Sequence, residues 1–73
     1  MVDVPNQLRI VINGRQDLVG VDETVAELLA HLDIPERGCA VAINAEVLPR
    51  SLWVTTVIKE NDEIEVLTAT PGG

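Results

Sequence analysis

Asn13-Gly14 is the segment that most restricts the fold of this chain. A tight two-residue connection between strands needs positive φ at both positions, and Asn-Gly is the pair that supplies it most readily. Leu8-Arg9-Ile10-Val11-Ile12 precedes it, with Leu8, Ile10 and Ile12 on one face, and Arg15 to Val19 follows as the returning strand. The chain therefore opens on an antiparallel hairpin with one apolar side that something else must cover.

The cover comes next. Val25, Leu28, Leu29 and Leu32 fall at helical spacing, which predicts a helix with one apolar stripe turned to the sheet. Thr24 and Glu27 form a capping box, each side chain satisfying a free amide at the helix start. Pro35, helped by Gly38, is expected to stop the helix, with His31 in its last turn. Strand periodicity then returns. Cys39 to Asn44 places Cys39, Val41 and Ile43 on one face and Ala40 and Ala42 on the other. Asn44-Ala45-Glu46 reads as a turn, Val47-Leu48 as a short strand ended by Pro49, and Ser51 to Val57 as a short helical turn carrying Trp53. After a turn at Glu60-Asn61-Asp62, Glu63 to Leu67 alternates cleanly as a last strand. Met1 to Gln7 reads as a polar lead-in, since Pro5 fits poorly inside a ladder.

Hairpin, helix, strand, short strand, final strand is the order of an α+β β-grasp domain. It implies a mixed sheet of four or five strands on one main helix, with the first and last strands parallel at the centre. The domain is expected over residues 1–69, with a flexible tail at 70–73. The core must be aliphatic, because Trp53 is the one aromatic residue. A formal charge of −7 with a single lysine, Lys59, argues against nucleic acid, where cationic contacts dominate affinity, and against an anionic membrane surface. It suits a protein partner with a basic docking face. One cysteine excludes an internal disulfide, and no apolar run approaches the length of a bilayer span, so the expectation is a cytoplasmic protein.

The sequence closes on Thr70-Pro71-Gly72-Gly73. Two residues without side chains can enter a slot too narrow for any other pair. A carboxylate on so thin a tether suits chemistry performed on this chain by another protein. No nucleophile–base set and no metal-ligand spacing is visible, so neither catalytic residues nor a bound cofactor or metal is expected. Cys39, in an apolar strand, reads as packing rather than as a reactive thiol.

At this point the chain resembles a family: the ubiquitin-like sulfur carriers, and among them the thiamine-biosynthesis (ThiS) family. The resemblance rests on Val11-Ile12-Asn13-Gly14, Thr24-Val25-Ala26-Glu27-Leu28-Leu29 and Val41-Ala42-Ile43-Asn44. It continues through Val47-Leu48-Pro49-Arg50-Ser51-Leu52-Trp53, Asp62-Glu63-Ile64-Glu65-Val66 and Gly72-Gly73. Asn61 stands where the family usually has glycine; asparagine also tolerates the left-handed conformation.

The resemblance implies a protein co-substrate rather than an enzyme. The Gly73 carboxylate would be adenylylated with ATP on a ubiquitin-activating-like adenylyltransferase and converted to a thiocarboxylate with sulfur from a cysteine desulfurase or other persulfide donor. It would then give that sulfur to thiazole synthase. Gly72 would keep the tail narrow enough for access. Arg50, Trp53, Glu63 and Glu65 are candidates for partner contact, with core packing favoured for Trp53, and Glu60, Asp62, Glu63 and Glu65 for an acidic rim beside the tail. The alternatives are a carrier for another pathway (the small subunit of molybdopterin synthase, or cysteine synthesis), covalent protein tagging, or a β-grasp interaction module whose diglycine is incidental.

Overall fold

A computed structural model describes residues 7–68. The lead-in at 1–6 and the segment 69–73, which includes Gly72 and Gly73, lie outside the described residues.

Five strands form one sheet around one helix. They are β1 (Gln7–Ile12), β2 (Arg15–Gly20), β3 (Cys39–Ile43), β4 (Glu46–Leu48) and β5 (Glu63–Thr68), with α1 (Val25–His31) between β2 and β3. A short 3-10 turn spans Arg50–Leu52. The order across the sheet is β2-β1-β5-β3-β4. β5 pairs parallel with β1 and antiparallel with β3, so the last strand is the central one. This is the mixed β-grasp sheet that the element order implies, in its five-stranded form. Gln7, read as lead-in, belongs to β1, where it pairs with Gly20.

Each connection has a local cause. Asn13 and Gly14 take φ of 49° and 82°, the paired positive values of the tight hairpin turn. Asn44 and Ala45 repeat that device between β3 and β4, at 52° and 71°. Asn61 is left-handed at 70°, as its tolerance for that region allows. At the start of α1 the capping box is complete: Glu27 N–H donates to Thr24 Oγ1 at 3.2 Å, and Thr24 N–H donates to Glu27 Oε1 at 2.9 Å.

The helix end corrects the sequence reading. Asp33, not Pro35 or Gly38, terminates α1. It adopts φ of 58°, donates its N–H to Ala30 O at 3.1 Å, and lets Ile34 N–H reach Leu29 O at 2.9 Å. That bond pair is a Schellman motif closed by an aspartate in the usual glycine position. The stop swings Leu32 outward, to 37% exposure, and Ile34 packs against the core instead.

The core is Ile10, Ile12, Val19, Val25, Leu28, Leu29, Val41, Trp53, Ile58, Ile64 and Val66. Alternation supplies the strand members and the helical stripe supplies the rest, apart from Trp53 and Ile58. Those two come from the irregular run between β4 and β5. Trp53 is 2% exposed, and its indole Nε1–H donates to Leu48 O at 3.0 Å, so the polar end of the ring is satisfied on burial.

Candidate functional site

The candidate site is the end of the sheet where β5 runs out toward the diglycine. β5 is held on both flanks as it approaches that end. On the β3 side the ladder continues to the pair Cys39 and Thr68. On the β1 side the backbone ladder ends at Ile12 and Ile64, and the Asn13 side chain carries it further. Asn13 N–H donates to Ile64 O at 2.9 Å, and Val66 N–H donates to Asn13 Oδ1 at 2.9 Å. At the opposite end of the strand, Glu63 N–H donates to Asn44 Oδ1 at 2.9 Å, and Asn44 Nδ2 donates to Asp62 Oδ1 at 3.0 Å. Two asparagine carboxamides thus bracket β5, one where it enters the sheet and one where it leaves. Sequence reading used both asparagines only as turn residues; nothing in the local pattern marks their long-range partners.

Gly73 and Gly72 lie outside the described residues, five positions and four positions beyond Thr68. Five extended residues span at most roughly 17 Å, which is the longest reach the sequence allows from Thr68 to Gly73.

Arg50 is brought to the same end of the sheet, because β4 runs alongside β3 in the direction of β5 and Arg50 follows it. Its guanidinium is engaged within the chain: Nη2 donates to Glu36 O at 2.6 Å, and the group lies over the Trp53 ring, 5.8 Å from its centroid. Trp53 itself is core, which corrects its place among the candidate contacts: a side chain 2% exposed has no surface to present. The same burial bears out packing as its role.

Glu63 and Glu65 are exposed on the sheet face opposite α1, alternating with buried Ile64 and Val66. Glu60 and Asp62 are elsewhere. Asp62 Oδ2 accepts from Lys59 N–H at 2.8 Å and Glu60 Oε2 accepts from Arg9 N–H at 3.3 Å, both in the turn that precedes β5. Of the four acidic residues read as a rim, Glu63 and Glu65 therefore lie on β5, while Glu60 and Asp62 shape the turn at its entry end.

On the outer face, a shallow groove of 270 Å³ runs between Val11, Gly14, Ala45 and β5 residues Glu63 to Glu65. It is lined by neither a histidine nor a cysteine, and among the described residues no group of acidic, histidine and cysteine side chains has metal-binding spacing. Cys39 is half-buried against the core, with its Sγ 3.7 Å from Glu36 O. His31, fully on the helix side, pairs its Nδ1 with Glu23 Oε2 at 2.8 Å. Among the described residues no helix is long and apolar enough to cross a membrane.

The outer face also carries apolar residues at the exit. Leu67 is 70% exposed, directly opposite Ala40, and Val47 is 77% exposed opposite Ala42. Sequence alternation predicts their outward direction but gives no sign that they share one strip.

Comparison with known proteins adds an independent line. The ThiS family model matches residues 2–73. The sulfur carrier protein ThiS of Escherichia coli (strain K12) is 32% identical over 66 residues, covering 90% of this chain and all of that protein. The thiazole synthase of Paramagnetospirillum magneticum is 30% identical over 66 residues, 90% of this chain but only 20% of that protein. Among solved structures, the thiamine biosynthesis protein ThiS from Geobacter metallireducens superimposes with a TM-score of 0.76 at 32% identity, covering 90% of this chain and 100% of that one.

Proposed function

Because this chain belongs to the ThiS family, the sulfur carriers of thiamine biosynthesis, we propose that Gly73 is the residue on which it carries sulfur. The observation that bears most weight is the pairing of the diglycine with a central exit strand. A strand pinned by β1 and β3 gives the tail a fixed root, and Gly72-Gly73 gives it a narrow tip.

The chemistry follows from what a carboxylate lacks. Its oxygen is a poor leaving group, so direct attack by sulfur is unproductive. On a ubiquitin-activating-like adenylyltransferase, the Gly73 carboxylate attacks the α-phosphate of ATP and pyrophosphate departs. AMP is then the leaving group of an acyl-adenylate. The outer sulfur of a persulfide, supplied through a cysteine desulfurase, attacks the acyl carbon and displaces AMP to leave an acyl disulfide. A second thiol of the enzyme then attacks the other sulfur and supplies the two electrons, so the Gly73 thiocarboxylate departs and a protein disulfide remains. Thiazole synthase accepts that sulfur. The likeness of this chain to part of a protein named thiazole synthase supports that acceptor. ATP is the activating enzyme's substrate, and this chain acts as co-substrate with no cofactor of its own.

Partner contact falls to groups at the exit end. Arg50 and Glu65 are exposed there, and Glu63 extends the acidic face. The acidic surplus of the chain complements a basic docking surface, which raises the rate of encounter more than the final affinity.

The direct test is intact mass after incubation with the adenylyltransferase, ATP and a persulfide source. A gain equal to one oxygen replaced by sulfur, mapped to Gly73, is the expected result. An unchanged mass, with the enzyme proven active on its own carrier, refutes the proposal.

A further inference from the structure

The hydrogen-bond directions along β5 leave one stretch of edge open. Val11 N–H reaches Asp62 O at 3.0 Å and Asn13 N–H reaches Ile64 O at 2.9 Å, so the even-numbered residues of β5 turn their main-chain groups toward β1. Asn44 N–H reaches Glu63 O at 2.7 Å, so the odd-numbered ones turn toward β3. On the β3 side the pairing holds through Thr68. On the β1 side the chain turns away at Asn13-Gly14, and the Asn13 carboxamide takes the N–H of Val66. Past that point Val66 O and Thr68 N–H face the β1 side with no partner among the described residues. A central strand thus ends as an edge strand over its last turn of pleat.

We propose that this β1-facing edge of β5, Val66 to Thr68, is a strand-addition site for an extended segment of the enzyme that activates Gly73. Two observations point to that occupant. The open edge begins where the Asn13 carboxamide stops and ends at Thr68, five residues before Gly73 in sequence. An added strand there would line the tail with main-chain hydrogen bonds and draw it straight, a recognition mode in which backbone pairing supplies affinity and alternate side chains supply specificity. Leu67, 70% exposed, stands on the outer face between the two open groups, in line with Ala40, Ala42 and Val47. The incoming strand should therefore carry apolar residues on the side that covers Leu67. The inference rests on the carrier function proposed above.

Thr68→Pro tests it. Thr68 faces Cys39 as a non-hydrogen-bonded pair, because Ala40–Leu67 and Ala42–Glu65 are the bonded ones. Its N–H is therefore surplus to the β3 ladder, and proline removes it at a place where strands tolerate proline. Thr68→Val keeps the N–H and is the control. Both variants should keep the melting temperature of the parent chain. In ATP-dependent pyrophosphate release by the adenylyltransferase, Thr68→Pro should raise the KM for the carrier about five- to tenfold, the worth of one such bond, while Thr68→Val stays near the parent. Amide exchange gives a reading free of proline's stiffness: in the parent chain bound to the enzyme, the Thr68 N–H should be protected relative to the free chain.

Equal KM for the two variants together with unprotected Thr68 in the complex overturns the strand-addition site and leaves the carrier function standing. Absence of pyrophosphate release from the parent chain overturns both. Concentration-dependent dimerisation abolished by Thr68→Pro would identify a second copy as the occupant and overturn the assignment to the enzyme.

Discussion

The Asn13 carboxamide receives the N–H of Val66 at 2.9 Å across 53 residues of sequence. A turn residue of the first hairpin thereby fixes the strand that precedes the diglycine in sequence. Asn13→Gly keeps the positive φ but forfeits this bond, and should lower unfolding free energy by about 1 kcal/mol. Asn13→Ala loses the bond and strains the turn as well, for a total of about 2 kcal/mol. Asn13→Asp retains an acceptor and should stay closest to the parent. Urea titration of the three variants, with Val66 amide exchange as the local probe, would show whether the ordering holds.

Trp53 is the largest fully buried side chain, and its Nε1–H is matched by Leu48 O. Truncation to alanine removes about 3–5 kcal/mol. A domain of this size has a total stability of only about 4–11 kcal/mol, so Trp53→Ala should lose a large share of it and melt well below the parent. Trp53→Phe keeps most of the volume but orphans a carbonyl, and should fold with a lowered midpoint. Far-UV circular dichroism against temperature decides it; an alanine variant that melts like the parent would remove Trp53 from the core account.

Ala45 holds φ of 71° in the turn between β3 and β4. Left-handed backbone costs a residue with a Cβ about 1–2 kcal/mol, and glycine recovers this less about 0.4–1 kcal/mol of extra chain entropy. Ala45→Gly is thus expected to stabilise the protein by about 0.5 kcal/mol. A fall in the denaturant midpoint would contradict the strain assigned to this turn.

Gly72 lies outside the described residues, and its predicted role is purely one of cross-section. Gly72→Val should leave the melting temperature unchanged and abolish adenylylation by the activating enzyme. Normal pyrophosphate release by the variant would show that the enzyme's channel admits a side chain at this position.

Much of the architecture is readable from local signals because its causes are local. Asn13-Gly14, the Thr24–Glu27 box and the alternation in β1, β3 and β5 each act within a few residues, and the element order they produce restricts the sheet to one compact arrangement. What local pattern misses is set by distant partners. Leu32 satisfies the helical period but leaves the core because Asp33 closes the helix first, and Ile58 joins it from a stretch with no period. The site divides the same way. The outward direction of Glu63 and Glu65 is legible, whereas the sheet end to which Arg50 belongs, and the open edge past Val66, exist only once five strands are in register; Gly72 and Gly73 lie outside the described residues.

The central place of β5 has a mechanical consequence. A pull applied to the end of β5 along the axis of the strand acts in the direction the strand already runs. Its lateral bonds to β1 and β3 are then loaded together in shear, so they resist as a group instead of opening one after another like a zipper. A strand at the margin of the sheet, pulled sideways, would peel. A load applied at the end of β5 is thus shared across the sheet, and the fold stays intact beneath it.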